Sequence, residues 1–111
     1  MSTNNIYIAG PMTGLPNFNF EAFFDAEEIW SNKGWVVYNP ARHDVECGID
    51  ARELSLEEVN SKFNLEEAAL WDLQSIVKCQ AIYMLAGWNK SKGARAEHAV
   101  AEWLGKEIHY Q

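Results

Sequence analysis

Two carboxylates in this chain sit where a carboxylate is costly, and together they could break a glycosidic bond. Asp72 falls near the middle of a helical apolar stripe made by Leu65, Ala68, Ala69, Leu73 and Ile76. An unpaired charge there is expensive. Glu97 falls in the first turn of a later helix, at the edge of an inner face of Ala96, Val100, Trp103 and Leu104. The helix dipole favours an anion in that turn. Two carboxylates facing a sugar can divide glycosyl-transfer chemistry between them: one attacks or stabilises the anomeric carbon, the other manages the proton on the leaving group. A desolvated Asp72 has the raised pKa of a proton donor. A more exposed, dipole-stabilised Glu97 stays ionised, as a nucleophile must. Each residue also has a plainer reading, Asp72 as a buried group bonded to a loop amide and Glu97 as a helix-dipole glutamate.

The elements that must bring these residues together follow from period and punctuation. Asn5–Ala9 is a short apolar run that stops at Gly10-Pro11, as a buried strand does. The loop Gly10–Asn17 has two glycines and two prolines, which end regular structure and let backbone approach a ligand. Phe20 to Asn32 is helical, with Phe20, Phe23, Phe24, Glu27 and Trp30 at three-four spacing and Gly34 placed for a left-handed cap. Gly34–Tyr38 is the second strand, closed by Asn39-Pro40. Ala41–Phe63 is the least legible part: Arg42, His43 and Asp44 read as a solvated loop that could also line a pocket, and Ser55–Glu58 signals a short helix. Asn64 caps a helix running to about Lys78. Gln80–Ala86 is apolar almost throughout, as in the centre of a parallel sheet. The loop Gly87–Gly93, a helix over Ala94–Leu104 and a strand over Glu107–Tyr110 complete the chain.

The order β-α-β-α-α-β-α-β predicts one α/β domain over residues 1–111. It is a small doubly wound, flavodoxin-like parallel sheet of four strands in the order 2-1-3-4, with helices on both faces. Such sheets bind ligands where the order reverses, here between the first and third strands. Gly10, Pro11 and Met12 would line that crevice from one side, Trp88, Ser91 and Gly93 from the other, with Asn39 at the end of the second strand. Ser91 and Gly93 precede a helix N-terminus, where free N–H groups favour phosphate; ordinary capping is the alternative for the same pattern.

Bulk composition narrows the classes. A hydrophobic fraction of 48% rules out disorder. A net charge of −7 argues against nucleic-acid polymers as partners. Cys47 and Cys79 fit no metal or redox spacing, so neither metal nor cofactor is expected, and a reduced cytoplasm is the expected compartment. Met1–Asn5 is polar, without the pattern of a signal peptide, and no apolar run approaches membrane-spanning length.

Three motifs in order resemble the nucleoside 2-deoxyribosyltransferase family. Tyr7-Ile-Ala-Gly-Pro11 is similar to that family's Tyr-Leu-Ala-Gly-Pro opening, and Asp72-Leu-Gln-Ser-Ile76 to its Asp-Leu-x-x-Ile segment. Gly93-Ala-Arg-Ala-Glu97, with Gly105-Lys-Glu-Ile108 after it, resembles its Gly-Thr-x-x-Glu helix and Gly-Lys-Pro-Val ending. Within that superfamily the chain most resembles small proteins common in phages and prophages. The resemblance implies Glu97 as nucleophile, Tyr7 as the residue orienting it, and Asp72 as acid and base toward the nucleobase. Six positions before the nucleophile the transferases carry an acid that helps bind the sugar; this chain has Ser91, as do the related nucleoside 5′-monophosphate N-glycosidases, which use it on phosphate. A nucleotide substrate and water as acceptor are thereby implied, as is a homodimer or higher oligomer. Two other readings fit the same fold: a non-catalytic module that binds a nucleotide such as an ADP-ribose or NAD derivative, and a protein-binding adaptor.

Overall fold

The computed structural model describes residues 4–111; the polar start, Met1–Thr3, lies outside them. Four short strands, β1 (Asn5–Ala9), β2 (Val36–Tyr38), β3 (Ala81–Met84) and β4 (Glu107–Tyr110), form one sheet in the order β2-β1-β3-β4. All three pairings are parallel. The predicted topology and reversal point are therefore those observed.

Alternation along the strands sends side chains to two cores. Ile6, Ile8, Ala81 and Leu85 face a layer containing Phe20, Phe23, Ala26 and Trp30 of α1 (Phe20–Asn32). Tyr7, Ala9, Ile82 and Met84 face Ile76 of α4 (Leu65–Lys78) and Ala94 and Ala101 of α5 (Lys92–Trp103). The aromatic spacing of α1 thus lies on the buried face as expected, and Gly34 holds the left-handed φ of 89° that stops that helix.

Three expectations need correction. The segment after β2 is not a loop but α2 (Pro40–Glu46), capped by Asn39 and followed by α3 (Leu56–Lys62) with the Ser55–Glu58 capping box in place. On α4 the predicted stripe divides: Leu65 is 71% exposed and Leu73 39%, while its last member, Ile76, is buried beside Ser75. On α5, Trp103 is 82% exposed and Ala96 is exposed, so the inner face is Ala94, Glu97 and Ala101. Two helix faces can carry a similar apolar period, and periodicity alone does not choose between them.

Candidate active site

Tyr7 points from the middle of β1 into the α4–α5 layer and is fully buried. Its hydroxyl donates to Glu97 Oε2 at 2.5 Å. The helix α5 starts two residues earlier than expected, so Glu97 lies in its second turn and not in the first, where the helix dipole would favour its anion. Ser91 Oγ accepts the Ala94 N–H at 3.2 Å and fixes the first turn. Ala94 and Ala101, both buried and both small, let the helix lie close on the sheet with Glu97 between them. Asp72 comes from α4 beside Trp71, whose ring centroid is 6.5 Å from that of Tyr7. The Ser75 hydroxyl donates to Trp71 O at 2.8 Å, so this buried hydroxyl is satisfied within its own helix.

The electrostatics differ from expectation in one respect: Glu97 is enclosed, not exposed. Burial, followed by the charge of Asp72, holds the Glu97 carboxyl well above the usual carboxylate range; the Tyr7 hydrogen bond opposes this. Burial also raises Asp72, to about 6, while interactions with Glu97 and Tyr7 pull it down. Burial and the two nearby carboxyls push Tyr7 well above the ordinary phenol range, so it remains a neutral donor. Glu97 is thus the more enclosed acid, not the exposed one. Both carboxyls are held above the ordinary carboxylate range, Glu97 the more strongly. The two carboxyls influence each other and titrate as a pair.

Two residues that the sequence pattern assigns to a loop belong here. The ring of His43 stacks on Trp71 with centroids 4.1 Å apart and an angle of 8°. Asp44, one residue on, is pushed up to about 7, by burial first and the charge of Asp72 second. The signal that could have found them is Asn39-Pro40. An asparagine cap with proline at the first helical position announces a helix as readily as it ends a strand.

The expected binding residues divide. Ser91 and Gly93 open the helix that carries Glu97, and a side chain added at Gly93 would meet nothing within 4 Å. Gly10 has a different reason to be glycine: a Cβ there would lie 2.7 Å from that of Leu85, so its bareness serves the contact between the ends of β1 and β3. Pro11 O accepts from Asn19 Nδ2 at 3.0 Å, and Met12 packs on the α1 core. Asn39 is buried with both ends of its amide taken: Nδ2 donates to Phe23 O at 3.3 Å, and Oδ1 accepts the Ala41 N–H at 2.9 Å. Trp88 stacks on His98 at 4.3 Å, and His98 Nε2 is 2.8 Å from the Tyr110 hydroxyl. Among the described residues no cluster of three or more His, Cys, Asp or Glu could hold a metal, and no helix is long and apolar enough to cross a membrane.

Comparison with known proteins agrees with this architecture. A 2-desoxiribosyltransferase from Leishmania mexicana has a similar structure, with a TM-score of 0.66 at 19% identity; the match covers 96% of this chain and 63% of that one. The two share the fold, this chain spanning less than two thirds of the enzyme's length. No curated protein matches the sequence. A family model described as a domain of unknown function (DUF4406) matches residues 4–110, and the chain belongs to that family.

Proposed function

We propose that this protein cleaves or transfers the N-glycosidic bond of a (deoxy)nucleoside 5′-monophosphate, with Glu97 as nucleophile and Asp72 as acid and base. One observation carries the reading: the Tyr7 hydroxyl is bonded to Glu97 Oε2, and both interact with Asp72, at the point where the strand order reverses. Three residues from β1, α4 and α5 meet there, and the proton of the Glu97 carboxyl is the one the reaction moves.

The chemistry follows from where that proton sits. Without substrate it rests on Glu97. Positive charge developing at the anomeric carbon stabilises a Glu97 carboxylate, and the departing base wants an acid beside it, which moves the proton to Asp72. The Glu97 oxygen then bonds to the anomeric carbon as the C–N bond breaks. The electron pair of that bond stays with the base, which takes the proton from Asp72. Water next attacks the same carbon, gives a proton to Asp72 and frees Glu97. Tyr7 stays protonated throughout and fixes the carboxylate's orientation. Ser91 uses its oxygen lone pair on the Ala94 N–H and keeps its own proton to donate, which suits a phosphate oxygen at the start of α5. The nucleotide, rather than the free nucleoside, rests on that geometry.

Incubation with a panel of nucleosides and nucleotides, including NAD, tests this by release of free base. Release from a monophosphate, abolished by Glu97→Ala, supports the reading; a panel that yields no free base overturns it. The homo-oligomer that the resemblance implies has a candidate face in Leu70, Val77 and Trp103, which are 60%, 58% and 82% exposed.

A further inference from the structure

We propose that His98 sets the roll of α5 about its own axis, and with it the aim of the Glu97 carboxyl, by holding the helix to Tyr110 of β4. The proposal rests on the function proposed above and adds a positioning residue to it.

The seat of α5 on the sheet leaves that roll open. Ala94 and Ala101 bring the helix close, but a methyl group against a sheet offers little to resist turning. Among the described residues two side-chain hydrogen bonds join α5 to the sheet. One is the Tyr7–Glu97 bond, and its carboxyl is the group that must change charge in the reaction. The other is the 2.8 Å bond between His98 Nε2 and the Tyr110 hydroxyl, which either group can donate. His98 lies one residue, about 100°, round the helix from Glu97. The two bonds reach different strands, β1 inside the sheet and β4 at its edge. The first alone would be a pivot; the second fixes the angle.

The His98 ring is itself held. Trp88 stacks on it with centroids 4.3 Å apart and 19° between the planes. Trp88 packs against the same core as Tyr7, and its carbonyl oxygen accepts the N–H of Ser91, the N-cap of α5, at 3.1 Å. Loop, helix and edge strand are thereby closed into one clasp, with the Trp88 and His98 rings half-buried. A glutamate oxygen lies about 6 Å from its helix axis, so a roll of about 10° moves it by about 1 Å. A misplacement of that size can cost a reaction about 100-fold.

Two substitutions remove the bond from opposite sides. His98→Phe keeps a ring to stack on Trp88; Tyr110→Phe deletes one oxygen from a side chain that is 56% exposed, at little cost to folding. With the nucleotide that wild type cleaves fastest, each should lower kcat about 10-fold or more and leave KM within about twofold. The double variant should lose no more than the worse single one, because both remove the same bond. The carbon-13 signal of the Glu97 side-chain carboxyl should shift in both single variants. An unchanged kcat in both overturns the proposal, as does a loss confined to KM or one that multiplies in the double variant. An unmoved Glu97 signal overturns it whatever kcat does. That signal also separates this proposal from the function above. If wild type releases no base but the signal moves in both variants, catalysis falls and the positioning by His98 stands. If base is released and neither kcat nor the signal moves, catalysis stands and the role of His98 falls.

Discussion

Removing the charge of Asp72 should make this protein more stable while disarming it. In the folded chain Asp72 ionises near 6, against 3.8 for an unperturbed aspartate. At one pKa unit per about 1.4 kcal/mol, that difference amounts to about 3 kcal/mol as a ceiling. The carboxyl is only half-buried, and solvent screening weakens the penalty, so a net gain of about 1–2 kcal/mol is expected from Asp72→Asn. For a domain of this size that is a rise in Tm of about 4–8 °C.

The pH dependence identifies the cause. Well below 3.8 Asp72 is protonated in both folded and unfolded chains and carries no penalty. Between 3.8 and about 6 the folded state holds a proton that the unfolded state has lost, so wild-type stability falls as pH rises. Above about 6 the penalty is complete. Thermal unfolding of wild type and Asp72→Asn, followed by circular dichroism, should show the full gain at pH ~8 and a small fraction of it at pH ~4. No gain at the higher pH would refute the idea that Asp72 is held there at a cost. An equal gain at both would mean that shape, not charge, is responsible. The same variant should lose base release, which is the trade expected where a site stores an unfavourable charge for use.

Three further substitutions probe the scaffold. Tyr7→Phe keeps the ring that fills the core but removes the donor to Glu97 Oε2; base release should fall about 10- to 100-fold with the near-ultraviolet spectrum preserved. Gly10→Ala places a methyl 2.7 Å from Leu85 Cβ, a contact no flexible side-chain end can relieve, and should cost about 1–3 kcal/mol in urea unfolding. Asn39→Ala strips partners from Phe23 O and the Ala41 N–H in a buried setting, and should cost about 2–3 kcal/mol by the same measurement. A normal melt for Asn39→Ala with altered nucleotide binding would return Asn39 to the substrate site.

What was legible in the chain, and what was not, separates along a physical line. Strand order and the reversal point were legible because buried parallel strands are short apolar runs with glycine and proline at their ends, and β1 and β3 are such runs. Asp72 and Glu97 were legible because a carboxylate in an apolar setting stands out, whereas Tyr7 entered only through the resemblance of Tyr7-Ile-Ala-Gly-Pro11. Their surroundings were not. Leu65 and Leu73 point to solvent, while Ile76 of the same stripe, with Ser75 beside it, is buried against the sheet. Trp103 likewise draws attention to the outer side of α5, although the helix is seated by Ala94 and Ala101. Small residues add little to the apolar contrast between two sides of a helix, yet they set how closely it approaches the sheet. That distance decides how much water a neighbouring carboxylate keeps. The enclosure of Glu97 is therefore a consequence of two alanines three and four residues away, which is why its presence could be read from the chain and its protonation could not.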